Sequence, residues 1–160
     1  MSSPPPPIEG DVQLLLTAAA AGVSEAVLRQ LARSGFSDVR PSHGYVFQHL
    51  LVQPMPINEL GARLGMTAQG ASKLVIELEK LGYVRRAPAA EDRRTHVVEL
   101  TERGRAVVDA GRAARASLTA EVEQLLGPRG LRQLLRMLRQ VAERTGGLET
   151  LARRRIRPPR

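Results

Sequence analysis

Apolar residues recur at intervals of three and four along the first half of the chain, which is the spacing of one face of a helix. This spacing predicts a long first helix over residues 11–33 and a second helix that begins at Pro41. The prolines of Gln53–Pro56 end the second helix. Ile57–Leu64 predicts a short third helix, and Gly65 is placed to stop it.

A fourth short helix is predicted directly afterwards, because Thr67 is a residue type that caps helices. Its apolar side repeats at intervals of three and four and consists of Ala71, Leu74, Val75 and Leu78. From Gly82 the pattern changes to a period of two, which is typical of strands. Residues 83–87 and 95–100 therefore predict a β-hairpin.

Helical spacing returns in the last third of the chain. Thr101 can cap a fifth helix that runs to about Leu126, where Gly127-Pro128 interrupts it. Residues 131–144 predict a sixth helix that ends at a Gly-Gly pair.

This order of elements predicts a mainly α fold with a small β-hairpin wing, in which a winged helix-turn-helix core is flanked by helices on both sides. We expect the following division of the chain: a Pro-rich arm at 1–10, an N-terminal helix at 11–35, a winged helix-turn-helix region at 36–100, C-terminal helices at 101–147 and a basic tail at 148–160.

Composition excludes several classes of function. The chain has no cysteine, which excludes disulfide scaffolds, zinc fingers and thiol redox switches. Only 2% of its residues are aromatic, so the base stacking of single-strand binders is not expected. The net charge is +8, but residues 132–160 alone hold nine arginines and two glutamates. Local placement of basic residues is therefore more informative than the overall charge.

Neither a secretion signal nor a membrane span is expected, since the most apolar stretch, Leu14–Val23, is too short for a bilayer. A cytoplasmic protein without a membrane partner follows. The chain also has no recognisable nucleophile–base set and no Gly-rich phosphate loop, so we predict neither an enzyme nor a cofactor. Its three histidines are not clustered with carboxylates, and we predict no metal site.

The third and fourth predicted helices form a helix-turn-helix, whose second helix is the one that enters the major groove of DNA. In steps of 100° per residue, one group of side chains points away from the apolar side: Gln69, Ser72, Lys73, Ile76 and Lys80. Such polar side chains can bind base edges or phosphates, and an isoleucine can contact a thymine methyl group. Gly70 would allow a close backbone approach. A solvated polar face is the alternative interpretation of the same pattern.

Four arginines flank the predicted turn of the hairpin, namely Arg85, Arg86, Arg93 and Arg94. Arginine suits a narrow minor groove, where the negative potential is enhanced. Asp92 lies beside them, and we expect its carboxylate to hold a neighbouring guanidinium by charge-assisted hydrogen bonds.

Residues 57–105 resemble the MarR family of bacterial regulators. The pieces that match are Glu59-Leu60, the sequence LEKLGYV at 78–84, Asp92 with Arg94, and the sequence LTERGR at 100–105, in the family's order and spacing. Two positions depart from the family's pattern. Pro56 stands where a Ser or Thr cap is usual, and Ile76 occupies a position that is commonly polar.

The resemblance implies a homodimer held by the N- and C-terminal helices, and a regulator, most simply a repressor, that binds a near-palindromic operator in double-stranded DNA. It implies that recognition helix 67–81, including Thr67, Ser72 and Lys73, enters the major groove and that wing 84–100 lies at the minor groove with Arg94. It also suggests a small aromatic effector near His43, Tyr45 and Phe47. Packing between helices is the alternative role for those three residues, and it is the one that we prefer.

Two other classes of function stay open. A winged helix can dock a protein partner, and Ile76 would then be an apolar anchor. A non-specific architectural DNA binder would instead depend on the arginines of the tail, Arg153 to Arg155 and Arg157.

Overall fold

A computed structural model describes residues 10–89 and 94–153 of the chain. Its elements are α1 (Val12–Arg33), α2 (Pro41–Val52), α3 (Ile57–Leu64), α4 (Ala68–Lys80), β1 (Val84–Pro88), β2 (His96–Leu100), α5 (Glu102–Arg144) and α6 (Gly147–Ala152). The predicted mainly α fold with a helix-turn-helix and a hairpin wing is therefore confirmed. Asp92 and Arg93 of the predicted wing lie outside the described residues, as do the Pro-rich residues 2–7 and the arginines beyond Arg153.

Helix α1 is continuous through its central glycine and begins at Asp11, whose side chain accepts a hydrogen bond from the Leu14 N–H at 3.0 Å. It packs against α5 through Leu31, but much of its apolar surface is exposed, including Val12, Leu15 and Val23. Its 22 residues, with a mean hydropathy of 1.3 in the most apolar window, are long and apolar enough to cross a membrane by length and composition alone. The sequence-based expectation considered only Leu14–Val23. A single helix of this kind is weak evidence of a membrane span, because core helices of soluble proteins pass the same test, and the expectation of no membrane partner stays a prediction.

The helix-turn-helix depends on two local features. Gly65 ends α3 in a left-handed conformation at φ 67°, and the Thr67 side chain accepts a hydrogen bond from the Gly70 N–H at 3.1 Å. The two helices also pack very closely, because a Cβ atom on Gly61 would lie 2.9 Å from the Cβ atom of Ala71. This close approach fixes α4 relative to α3.

Strands β1 and β2 pair in antiparallel register from Val84 opposite Leu100 to Pro88 opposite His96. Met55 adds a further bridge to this hairpin through two backbone hydrogen bonds with Val98, at 3.2 and 2.8 Å. The prolines beside Met55 predicted a helix break but gave no sign of this pairing. The bridge attaches the wing to the end of α2.

Helix α5 has two parts. Gly127 has non-helical backbone angles of φ 71° and ψ 163°, which confirms the predicted interruption, although the chain becomes helical again directly at Pro128. The first part of α5 packs on the core and contributes Val107 to it. The helices α1 to α4 and both strands contribute the other core residues, among them Val46, Leu60, Val75 and Val98. Helix α6, within the predicted basic tail, was not expected.

The first turn of α5 passes directly over the backbone of Tyr83. The Thr101 hydroxyl accepts from the Gly104 N–H at 3.0 Å and donates to the Gly82 carbonyl at 2.6 Å. A Cβ atom on Gly104 would lie only 2.1 Å from the Tyr83 carbonyl oxygen. Glycine is therefore required where the long helix meets the base of the wing.

We expect Gly104→Ala to lower the free energy of unfolding by about 3 kcal/mol or more, because the added methyl group meets backbone that cannot move aside cheaply. Gly44→Ala is the matched control. It also lies within a helix, its Cβ atom would meet none of the described residues within 4 Å, and it should be neutral or stabilising by up to about 1 kcal/mol. Urea unfolding of both variants measures the difference, and equal stability would contradict the proposed clash.

Candidate nucleic-acid interface

Helix α4 presents the side chains that the sequence placed outward. Ala71, Val75 and Leu78 are buried, whereas Thr67, Gln69, Lys73 and Lys80 are exposed and Gly70 and Ser72 are half-buried. Ile76 is 41% exposed, as single apolar side chains on protein surfaces often are. The outer face of α4 therefore combines hydrogen-bonding groups with one apolar contact.

Two of the wing arginines are paired with acidic side chains. Arg85 lies opposite Glu99 in the hairpin register, and its Nη2 atom is 2.7 Å from Glu99 Oε1. The Nε atom of Arg86 is 3.4 Å from Oε2 of Glu79 on α4. These pairs depend on strand register and helix docking, so their acidic members could not be assigned from the sequence. Arg94 is exposed in the turn two residues before β2.

A polar cluster ties the base of the wing to α5 and to the loop before α2. The Tyr83 hydroxyl donates to Asp38 Oδ1 at 2.5 Å, and Arg103 Nη2 lies 3.2 Å from that hydroxyl and 3.5 Å from Asp38 Oδ2. The Arg103 guanidinium also lies over the rings of Tyr83 and Phe36, at 4.8 and 5.4 Å from their centroids. Burial, with the hydrogen bond to Asp38, raises the pKa of Tyr83 to about 12. The phenol therefore stays protonated and keeps its donor.

His43 is fully buried in the first turn of α2, where its Nδ1 atom accepts the backbone N–H of Arg40 at 3.3 Å. Its Nε2 atom lies 3.3 Å from Nε of Arg40 and 3.5 Å from Glu77 Oε1, so the ring contacts Arg40 through both nitrogens. Burial, followed by the nearby charge of Arg40, lowers the pKa of His43 to about 4. His43 is thus a neutral structural side chain at neutral pH.

An apolar cavity of about 280 Å³ lies between α1, α2 and α5. Val27, Leu31, Val107 and other aliphatic side chains form most of its lining, and Arg40 and Arg115 are its charged residues. Of the three side chains suggested for an effector, Phe47 contributes to this lining, whereas His43 and Tyr45 are not among the lining residues. Sequence reasoning missed the contributions of α1 and α5, which come from distant parts of the chain.

A metal site is not apparent in the described ranges. Among residues 10–89 and 94–153, no group of three or more histidine, aspartate or glutamate side chains is arranged to hold an ion.

Comparison with known proteins identifies the central segment. Residues 37–95, which include the helix-turn-helix and the first wing strand, match the model of the MarR family. The resemblance noted in the sequence is therefore confirmed. No curated protein matches the chain.

Solved structures with a similar fold include transcriptional regulators, and two of them were solved bound to DNA. YusO from Bacillus subtilis has a TM-score of 0.68 at 20% identity, over 85% of this chain and 95% of that one. The repressor CouR, from Rhodococcus jostii RHA1, was solved on a 23-mer DNA duplex and has a TM-score of 0.62 at 24% identity, over 89% and 99% of the two chains. A MepR mutant from S. aureus bound to an oligodeoxyribonucleotide has a TM-score of 0.63 at 17% identity, over 84% and 98%. These likenesses establish a shared fold.

The buried His43 makes stability depend on pH. Its pKa is lower in the folded chain, about 4, than the unfolded value of 6.5, so the unfolded state binds more protons between these values. This contribution to stability is complete above pH 6.5 and is lost as the pH falls towards 4. We expect the free energy of unfolding to fall by about 2 kcal/mol more between pH 7 and pH 5 in the wild type than in His43→Gln. Urea unfolding at both pH values tests this, and parallel pH profiles would contradict it.

Proposed function

Because residues 37–95, which contain its helix-turn-helix, match the model of the MarR family, we propose that this chain is a cytoplasmic, homodimeric regulator of transcription that binds double-stranded DNA. Recognition helix 67–81 enters the major groove, and wing 84–100 lies at the adjacent minor groove. The observation that carries this proposal is the exposed outer face of α4, with Gln69, Lys73 and Ile76, beside a basic wing within the segment that matches the family. The simplest mechanism is repression by occupying a promoter.

Dimer formation is supported by apolar surface that one chain leaves uncovered. Helix α1, the C-terminal third of α5 with the turn before Gly127, and α6 all carry exposed apolar side chains: Val12, Leu14, Leu15, Val23, Leu125, Leu126, Leu135, Met137, Leu138, Val141, Leu148 and Leu151. Such an extent of apolar surface is typical of an interface. A second copy covering these helices would place two recognition helices about one helical turn of DNA apart, so the operator should be a near-palindrome with half-sites roughly 10 bp apart.

An effector is supported by the cavity between α1, α2 and α5. The aliphatic lining and Phe47 suit a small aromatic ring, and Arg40 and Arg115 suit an acidic group on the same ligand. CouR has been solved with p-coumaroyl-CoA, which is an aromatic acyl thioester. Since the cavity borders both dimerisation helices and the helix that precedes the helix-turn-helix, a ligand that bound its two shapes unequally would alter the spacing of the recognition helices.

A protein-docking function is favoured by one observation, the exposed Ile76 on α4. Apolar docking depends weakly on salt, whereas binding to several phosphates weakens steeply as salt rises. Salt dependence therefore separates the two functions.

We expect selection from a random duplex library to enrich a near-palindromic sequence. Its dissociation constant should increase about a thousandfold between 50 and 200 mM salt, because several phosphate contacts release counterions. Mobility shift with unlabelled competitor measures both properties. A variant that ends at Ala152 is the control: it should select the same sequence, whereas an architectural binder would lose its binding with the arginine tail. Failure of the wild type to enrich any sequence would contradict the proposed function.

We expect Arg94→Ala to weaken binding to the selected duplex about tenfold, or ~1.4 kcal/mol, because a minor-groove guanidinium is removed. Arg29→Ala removes the same charge from α1, where Arg29 pairs with Glu25, and should change binding little. Fluorescence anisotropy measures both dissociation constants, and size-exclusion chromatography checks that the dimer is retained. Equal affinities for the two variants would remove the wing from the mechanism.

A further inference from the structure

The recognition helix carries two acidic side chains, Glu77 and Glu79, that DNA binding does not explain. Negative charge on an element that approaches phosphates opposes binding, since the attraction of proteins to DNA depends on cations. In steps of 100° per residue the two glutamates lie about 160° apart, on opposite flanks of the buried face of α4. Each flank faces a different neighbouring element.

On one flank, Glu77 is held by the N-terminus of α2. Its Oε1 atom forms an ion pair with the Arg40 guanidinium and lies 3.5 Å from Nε2 of His43. The backbone of Arg40 is in turn fixed by the buried His43 ring, which accepts its N–H. The positive end of the α2 dipole also favours a carboxylate at this position. Glu77 therefore contacts a buried ring and a guanidinium that lies 3.3 Å from that ring through its Nε atom.

On the other flank, Glu79 is held by the wing. Its Oε2 atom lies 3.4 Å from Nε of Arg86 on β1, and both side chains are well under half exposed. This pair links the recognition helix directly to the strand that leads to the wing tip.

The close contact of Ala71 with Gly61 fixes the N-terminal turns of α4 against α3, but the C-terminal half of α4 docks through Val75 and Leu78. Apolar contacts of this kind are not directional and leave the orientation of that half less restricted. Two ion pairs on opposite flanks restrict it further. We propose that Glu77 and Glu79 are positioning residues, which set the orientation of the outer face of α4 relative to α2 and to the wing. This inference rests on the proposed DNA-binding function and adds to it a source of sequence selectivity that makes no contact with DNA.

The electrostatic alternative leads to the opposite result. If the glutamates only repelled phosphates, their neutralisation would strengthen binding to every duplex alike. If they position the helix, Glu77→Gln and Glu79→Gln weaken binding to the selected duplex while binding to a random duplex is unchanged or stronger. The ratio of the two affinities therefore distinguishes the roles.

The experiment measures this ratio by fluorescence anisotropy for the wild type, both Gln variants and Glu59→Gln. Glu59 is the matched control, because it lies in the same helix-turn-helix but pairs with Arg63 of its own helix, at 2.7 Å. We expect each variant of α4 to lower the selected-to-random ratio about threefold, as for a partly exposed ion pair, and Glu59→Gln to leave it unchanged. Thermal unfolding verifies that every variant is folded.

A double-mutant cycle identifies the interaction. Arg40→Gln should lower the ratio as Glu77→Gln does, and the double variant should lose no more than either single variant, because both changes remove the same pair. An unchanged or raised ratio in Glu77→Gln and Glu79→Gln, or full additivity in the cycle, would overturn the proposal. Those outcomes would overturn the positioning role alone and would leave the proposed DNA-binding function intact. The function itself fails if the wild type prefers no duplex.

Discussion

The close approach of α5 to the backbone at Tyr83 is the constraint on which the helix-turn-helix and the wing depend. Gly104 allows this approach, and the Thr101 hydroxyl bonds to groups on both sides of it. Because the recognition helix ends and the wing begins within a few residues of Tyr83, their orientation follows from this junction. The same junction connects them to the long helix, and hence to the surface through which we propose that two copies associate.

Near the candidate interface, several basic side chains pair with acidic ones and do not form a continuous positive patch. Arg85 and Arg86 are next to Glu99 and Glu79, so the wing is less positive than its sequence suggests. What distinguishes this surface is the direction in which its side chains are held. For the proposed function, such an arrangement would favour discrimination between sequences over binding to DNA in general, since bulk positive charge strengthens all complexes alike.

Local sequence signals predicted most of the fold. Gly65 ends a helix, Thr67 caps one and Gly127 interrupts one, as their residue types indicate. Each of these effects involves only residues nearby in the sequence. The outer face of α4 followed from helical periodicity alone. The bridge from Met55 to Val98, the lining of the cavity and the partners of Glu77 and Glu79 did not, because each depends on how distant segments pack. His43 illustrates the difference: the sequence analysis preferred a packing role for it, but its partner, the Arg40 backbone, appears only in the fold.

Arg40 belongs to two sites at once. Its guanidinium pairs with Glu77 on the recognition helix, and the residue also lines the cavity beside α1 and α5. An anion bound in the cavity and the carboxylate of Glu77 would therefore compete for one cation. By thermodynamic linkage, if such a ligand lowers the affinity for DNA by some factor, DNA lowers the affinity for the ligand by the same factor. Arg40 alone would thus couple the apolar cavity negatively to the proposed nucleic-acid surface: a ligand bound at one would weaken binding at the other.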